Sequence, residues 1–370
     1  MKKLLSVLAA TSMIVSLAAC GSSAPAPTTA AATTAAATEA ATTAAAAETQ
    51  AAAETQAAAD TSAAANDPVV HLTFAHADSP DGSVNGEASK VFAKLVEEKS
   101  GGSIIIDVYP SAQLGTVAEA IQGVQNGSID MTQISTSFLS NFCPEVGVFD
   151  MPFLFEDYQH VWDAEDEVMA PVLNDKLIAV NLHPEFWSGF GFRNVTTSKN
   201  RVLNGIDDLK GLRIRIQPSE IQREIFTALE ADPAPIDWGE LYTALQQGTV
   251  DAQENPFTQI YSSNIYEVNP VIYKTEHEWG GSVFITSMTM RDKLTDNQKA
   301  VFDECLEEIK PQWRQIVEDL NNQSLQGLKD AGCEYKEDVF NKADLQAKVQ
   351  GVYDNHPEYA ELVEKIKALR

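Results

Sequence analysis

Apolar residues in the first third of the chain switch repeatedly between the period of a strand and the period of a helix. Short apolar runs bounded by turn residues predict strands, and apolar residues three and four apart predict helices. Strands are predicted at Val69–Ala75, Ile104–Tyr109 and Ile129–Ile134, with a helix in each interval. This β-α-β-α-β order predicts a parallel sheet, whose ligands bind beyond the carboxyl ends of the strands.

The remainder of the chain continues both patterns. Helices are predicted near 157–175, at 219–230 and near 357–369, and strands at Leu177–Leu182, Phe186–Val195, Leu212–Ile216, Val271–Lys274 and Val283–Met288. Helical spacing from Asp296 to about Lys329 predicts a helix of about 50 Å, which is longer than one lobe. Pro311 should kink or split it, and Asp237 and Glu240 are spaced as a capping box for a further helix.

The N-terminal residues predict export. Residues 1–19 carry two lysines and then a short apolar stretch, as in a signal peptide. Cys20 follows small residues as in a lipobox, which predicts lipidation there; an ordinary secretory signal with an incidental cysteine is the alternative. Residues 20–66, rich in Ala and Thr, lack the apolar residues needed for a core and are predicted to be a disordered tether.

Composition limits what residues 67–370 can do. They are long enough for two α/β lobes, and they carry nearly all of the formal net charge of −27, which argues against nucleic-acid binding. An anionic ligand would therefore need a local, buried positive site. Cys143, Cys305 and Cys333 are irregularly spaced, which fits neither a disulfide framework nor a zinc site.

Catalytic motifs are not visible in the sequence. No two of the six histidines flank a glutamate at zinc-protease spacing, and there is neither a Gly-x-Ser-x-Gly elbow nor a phosphate-binding loop. We therefore expect a binding protein rather than an enzyme, with no cofactor and no metal.

Several long motifs identify a resemblance. GFRN at 191–194, DLKGLRIR at 208–215, WGELYTALQQG at 238–248 and VDAQENP at 250–256 resemble the signature of the solute-binding proteins of TRAP transporters. VYPSAQLG and DMPFLF, earlier in the chain, fit the same family. The resemblance implies a two-lobe periplasmic-binding-protein-like α/β fold with crossover strands and a long helix that spans both lobes. Lobe one would comprise roughly 67–190 and lobe two roughly 191–275, each with C-terminal parts.

The resemblance also implies that one arginine pairs with the ligand carboxylate, and Arg215 occupies that position. A guanidinium offers two parallel hydrogen bonds to a carboxylate and stays charged when buried. A surface strand arginine is the alternative, which is the role expected for Arg213. Arg193 matches a second family arginine near the carboxylate, or else is a structural hydrogen bonder between strand and loop.

Further binding residues follow from the same resemblance. Asn255 matches an asparagine that binds the carboxylate, with a turn before Pro256 as the alternative. Glu254 is expected to be structural, because a buried negative charge there would oppose anion binding. Trp238 matches an aromatic wall of the cleft, with core packing as the alternative, and its face suits the apolar side of a sugar ring.

Five positions are weaker candidates for the ligand site. Ser135 lies at the end of the third predicted strand and Asp78 in the loop after the first, and both positions contact ligand in the family. Loop capping and a plain turn are their alternatives. His277 matches a position near the cleft, although a lone histidine is more often structural. Ser219 and Gln217 follow Arg215 closely.

The expected function is extracytoplasmic capture of an organic acid by a lipid-anchored monomer, which delivers it to a TRAP membrane permease. A sugar acid is favoured, because no basic residue is evident in the lobe-one loops to hold a second carboxylate. A four-carbon dicarboxylate is the alternative ligand. A ligand-sensing protein that feeds a signalling partner is the alternative function. Ligand bridging of the two lobes would favour the closed cleft.

Overall fold

The computed structural model describes residues 63–370, so the signal peptide, Cys20 and most of the tether lie outside the described residues. The last tether residues are described. Ala64 is buried in the hydrophobic core, and the Asp67 carboxylate accepts hydrogen bonds from Thr295 and Asn297. Lobe one therefore begins its packing slightly before residue 67.

Two sheets organise the described chain. The first has the strand order β2-β1-β3-β10-β4, and the second has the order β11-β9-β5-β8-β6-β7. The strands are β1 Val70–Ala75, β2 Ile104–Tyr109, β3 Met131–Ser135, β4 Leu182–Phe192, β5 Asn194–Thr197, β6 Arg213–Ile216, β7 Asp232–Pro235, β8 Ala252–Asn255, β9 Val271–Tyr273, β10 Trp279–Ser287 and β11 Glu334–Lys336. Strand β1 pairs in parallel with β2 and β3, as the β-α-β-α-β pattern predicts.

Helices cover the faces of both sheets. They span Val84–Lys99, Val117–Asn126, Thr136–Leu139, Tyr158–Asp163, Ala170–Ala179, Glu220–Ala228, Leu241–Gln246, Phe257–Ser262, Asp296–Asp330, Lys342–Asn355 and Ala360–Lys367, with a π-helical segment at Ala164–Met169. We call Asp296–Asp330 the long helix. Its Trp313 is fully buried in lobe one, and the centroid of its ring lies 5.5 Å from the ring centroid of Phe186 and 5.8 Å from that of Phe284. Aromatic packing of this kind fixes the helix against the first sheet.

The chain passes between the sheets three times, through two short segments and through the long helix. Only Arg193 separates β4 from β5, residues 274–278 lead from β9 back to β10, and the long helix lies between β10 and β11. Gly191 beside the first crossing has φ +118, and a Cβ there would lie 2.5 Å from Nδ2 of Asn321 in the long helix. Asn321 donates from Nδ2 to the Phe190 carbonyl at 2.7 Å. The crossing is thus tied to the long helix, and the predicted two-lobe α/β fold is confirmed.

Three local predictions differ from the structure. Residues 177–179 belong to helix Ala170–Ala179 rather than to a strand, because Leu173 and Leu177 pack inward at helical spacing and the turn comes at Asn181, with φ +59. Pro311 does not split the long helix; its side chain is exposed, so water can satisfy the carbonyl that it leaves free. Helix Lys342–Asn355 was not predicted.

The predicted capping box at Asp237 is wrong. A 3-10 turn, Trp238–Glu240, precedes the helix that begins at Leu241, and the Asp237 side chain makes no capping hydrogen bond. The Asp237 carbonyl instead accepts from the backbone N–H of Glu240 at 3.1 Å. This turn presents the Trp238 side chain toward the space between the lobes.

Candidate functional site

A cavity of about 620 Å³, including its part open to solvent, lies between the lobes. Lobe one contributes the ends of β1 and β3 and the start of helix Val84–Lys99, as the parallel-sheet rule predicts. Six of the predicted site residues line it: Asp78, Ser135, Arg193, Gln217, Trp238 and Asn255.

Arg215 is fully buried on β6, and most of its hydrogen-bonding capacity is unused. Its Nε donates to the Ile236 carbonyl at 2.8 Å, whereas Nη1 and Nη2 have no hydrogen-bond partner in the described chain. Burial lowers the pKa of Arg215 to about 9 despite the attraction of Glu254. The side chain lies behind the cavity wall, with Cζ 5.9 Å from the ring centroid of Trp238. Such an unpaired, buried guanidinium is poised for an anion.

Arg213, at the start of the same strand, has the opposite environment. Its side chain is about half exposed and forms a two-point ion pair with Asp251, with N–O distances of 2.6 and 3.0 Å. A pair this exposed contributes little to stability. Arg213 is therefore satisfied at the surface, as expected.

Arg193, at the first crossing between the lobes, is already paired within the protein. Its Nη2 donates to Glu254 Oε1 at 2.8 Å, to the Glu254 carbonyl at 2.9 Å and to Asn255 Oδ1 at 3.1 Å, and Nε donates to Glu254 Oε2. Burial alone would raise the pKa of Glu254, but Arg193 and His277 outweigh it and hold the pKa at about 2. Glu254 thus has the structural role expected of it, and Arg193 has less capacity left for a ligand than Arg215.

Two further buried acids lie beside this pair. Asp150 accepts hydrogen bonds from Ser137 at 2.9 Å and Ser219 at 2.6 Å, and burial raises its pKa to about 6. Glu278 accepts from Gln222 through Oε1 at 2.7 Å, while its buried Oε2 has no partner in the described chain. Burial, reinforced by Asp150, raises the pKa of Glu278 well above 4.5. The raised pKa favours the neutral form of Glu278, whose Oε1 lies 3.9 Å from Arg193 Nε.

Contacts across the cleft hold the lobes together in this structure. Ser135 at the end of β3 donates to Gln217 Oε1 of lobe two at 3.2 Å. Asn141 of lobe one donates to the Pro218 carbonyl, and Asp150 joins Ser137 to Ser219 across the same boundary. These contacts place Ser135 and Gln217 at the wall of the cavity between the lobes.

The structure does not bring His277 and Ser219 to the cavity. His277 Nδ1 lies 2.9 Å from Thr275 Oγ1 and Nε2 lies 3.5 Å from Glu254, beside a separate apolar pocket. Ser219 caps helix Glu220–Ala228, and its hydroxyl donates to Asp150. Direct ligand contact by either residue has no support from this geometry.

Three cavity residues were missed in the sequence. His76, Asn85 and Gln133 line the cavity and each has a buried polar atom without a partner in the described chain: both ring nitrogens of His76, Oδ1 of Asn85 and Oε1 of Gln133. His76 directly follows the predicted strand Val69–Ala75, and its position at a strand end is a signal that could have found it. Asn85 and Gln133 carry no comparable signal in one sequence.

Within residues 63–370, no group of three or more His, Cys, Asp or Glu side chains is arranged to hold a metal ion. Helices in the same part of the chain lack the combination of length and apolar composition needed to cross a membrane. The three cysteines there are free thiols, with Cys143 and Cys305 buried.

Two α/β lobes, two crossing segments and a cleft with a buried, unpaired guanidinium define a bilobal solute receptor. The family model for bacterial extracellular solute-binding proteins, family 7 (DctP), matches residues 74–360. The chain belongs to that family, and it is a solute receptor of the TRAP type rather than a member of an enzyme family.

Individual relatives agree with this assignment. The chain is 31% identical over 258 residues to a C4-dicarboxylate-binding protein of Bacillus subtilis, covering 69% of this chain and 73% of the relative. It is 35% identical over 230 residues to an uncharacterised protein of Sinorhizobium fredii, covering 62% of this chain but only 42% of that longer protein. The crystal structure of a sugar acid binding protein from Advenella mimigardefordensis in complex with galactonate is similar, with a TM-score of 0.78, 28% identity, and coverage of 82% of this chain and 98% of that one.

Proposed function

We propose that this receptor captures an organic acid in the interlobe cleft, holds its carboxylate on Arg215 and delivers it to a TRAP membrane permease. The observation that carries the proposal is the buried Arg215 guanidinium, whose two terminal nitrogens lack a partner among residues 63–370. A carboxylate would supply two charge-assisted hydrogen bonds there. Asn255 and Arg193, joined to each other at 3.1 Å, would support the same end of the ligand.

A sugar acid is the proposed ligand class. Among the described residues that line the cavity, Arg193 is the only lysine or arginine, and Glu254 occupies it. A dicarboxylate would therefore lack a free cation for its second carboxylate. The galactonate complex of the Advenella protein supports this choice, whereas the Bacillus relative keeps a four-carbon dicarboxylate as the competing candidate.

Delivery is proposed to occur from an anchored state outside the cytoplasm. Cys20 has the sequence context of a lipidated cysteine, and residues 21–66 would tether the lobes to the membrane. A monomer satisfies this arrangement, because the cleft is built by one chain. Radiolabelled palmitate or mass spectrometry of the mature N-terminus tests the anchor separately from ligand binding.

Matched acids and alditols test the carboxylate requirement. Thermal shifts should be measured with gluconate against glucitol, galactonate against galactitol, and erythronate against erythritol. Within each pair, the acid has a carboxylate where the alditol has a hydroxymethyl group, and the two molecules are otherwise the same. At 100 times its dissociation constant, a bound acid should add about 2.7 kcal/mol to the free energy of unfolding, and its alditol should add almost nothing. Equal stabilisation by both members would refute the proposal.

A further inference from the structure

Four polar side chains of lobe one converge on the cavity from three different elements. His76 and Asp78 follow β1, Asn85 is in the first turn of helix Val84–Lys99, and Gln133 is on β3. All four are at least nine-tenths buried. We call them the lobe-one wall.

The hydrogen bonds within the lobe-one wall leave mainly acceptors for a ligand. Asn85 Nδ2 donates to Asp78 Oδ2 at 2.8 Å, which orients the amide because a carboxylate only accepts. Gln133 Nε2 donates to Ser282. The remaining atoms, Asn85 Oδ1 and Gln133 Oε1, are buried acceptors without partners in the described chain.

His76 adds one donor and one acceptor to this set. Both of its ring nitrogens are buried without hydrogen-bond partners in the described chain. Burial lowers the pKa of His76 to about 4. The imidazole is therefore neutral at pH 7 and offers one N–H and one bare nitrogen.

We propose that the lobe-one wall is a subsite that binds hydroxyl groups on the part of the ligand remote from the carboxylate and rejects a second carboxylate. The inference rests on the proposed function and names its substrate class more narrowly: a polyhydroxylated monocarboxylate. Buried acceptors on separate elements require several separated donors, which successive hydroxyls of a sugar acid supply. Leaving them unpaired costs binding free energy, so a ligand without hydroxyls is disfavoured.

A second carboxylate at the lobe-one wall would meet the wrong groups. Within the lobe-one wall it would face the Asp78 carboxylate and the amide oxygens of Asn85 and Gln133, and the donors left for it would be one N–H of His76 and the second N–H of Gln133 Nε2. Like charges brought together in a buried site are strongly unfavourable. Asp78 is therefore the residue that we assign to discrimination between monoacids and diacids.

The test compares monoacids with the diacids made by oxidising their terminal hydroxymethyl group. The pairs are gluconate with glucarate, and erythronate with meso-tartrate, measured by titration calorimetry on the receptor, on Asp78→Asn and on Asp81→Asn. Asp81 lies in the same loop with an 85% exposed side chain and pairs with Lys90, so Asp81→Asn is the matched control. Hexanoate and adipate report binding without hydroxyls.

The parent receptor should prefer the monoacid by at least about 100-fold. Asp78→Asn should reduce this ratio about tenfold or more by strengthening diacid binding, whereas Asp81→Asn should leave it unchanged. A gain in diacid affinity cannot come from a misfolded variant. Equal binding of the monoacid and the diacid by the parent, or an unchanged ratio of their affinities in Asp78→Asn, would overturn the proposed subsite. Neither result would affect the role proposed for Arg215. If diacids alone bind, the subsite is wrong and carboxylate capture stands; if no acid binds, the proposed function itself fails.

Discussion

Replacing Arg215 with methionine should close the cleft of the unliganded receptor. In the closed arrangement described here, the guanidinium is fully buried and two of its nitrogens have no partner in the described part of the chain. An open cleft would hydrate them. Without a ligand anion, Arg215 therefore opposes closure, and an uncharged side chain of similar length removes that opposition.

The magnitude follows from the electrostatics of Arg215. The fall in its pKa from 12.5 to about 9 corresponds to a cost of about 5 kcal/mol for keeping the buried group charged. Methionine also loses the hydrogen bond to the Ile236 carbonyl and the contact with Trp238, but both lie within lobe two and are the same in the open and closed states. Methionine removes whatever part of the cost arises on closure, and a gain of about 2 to 3 kcal/mol would raise the ratio of closed to open receptor by about 30- to 150-fold.

Small-angle X-ray scattering measures this change directly. Parent, Arg215→Met and Arg213→Met receptors should be stripped of ligand by unfolding and dialysis before measurement. The radius of gyration of Arg215→Met should lie below that of the parent and should not respond to acids. Arg213→Met, altered at an exposed position of the same strand, should behave like the parent. An Arg215→Met receptor as extended as the parent would refute the idea that the unpaired guanidinium opposes closure.

Two further predictions concern stability. Glu278 faces Asp150, Glu254 and Arg193, and its raised pKa means that the folded state keeps a proton that the unfolded chain releases above pH 4.5. The free energy of unfolding therefore falls as pH rises from 4.5 through the raised pKa, and Glu278→Gln should make this fall smaller. Urea unfolding at a series of pH values should show this fall in the parent and a smaller one in Glu278→Gln; parallel curves would contradict the assignment. Gly191→Ala should cost roughly 1 to 3 kcal/mol more than Gly211→Ala, because both have positive φ but only Gly191 would bring a Cβ against Asn321, whereas a Cβ at Gly211 meets nothing within 4 Å. Equal losses in thermal unfolding would refute the steric argument.

Long periodic segments were predictable because their patterns reflect the burial of apolar side chains on one face. The buried face of the long helix, including Phe302, Ile309 and Trp313, follows directly from helical spacing. Strand β6 was predicted to within one residue. Local turn chemistry was less predictable: the capping box at Asp237 has the right residues, but the 3-10 turn places the Asp237 side chain away from the first free amides.

The candidate site was predictable only in part. Arg215, Arg193, Asn255 and Trp238 were predicted from their match to the family's motifs, and Asp78 and Ser135 from family contact positions that follow two strands. Asn85 and Gln133 look like ordinary polar residues in a sequence, because their burial arises only when helix Val84–Lys99 and β10 pack beside β3. The pairing of Arg193 with Glu254 likewise depends on the register between β5 and β8. Such assignments need tertiary structure, since no local pattern encodes which polar groups find partners.

Titration calorimetry of Arg215→Ala beside Arg213→Ala tests the central claim most directly. With the sugar acid that stabilises the parent most, Arg215→Ala should bind between about 100-fold and a few thousand-fold more weakly, as expected for removal of one partner of a buried ion pair. Arg213→Ala should bind within about twofold of the parent, because exposed pairs contribute little. Parent-like affinity in Arg215→Ala would show that the carboxylate is held elsewhere in the cleft and would contradict the account.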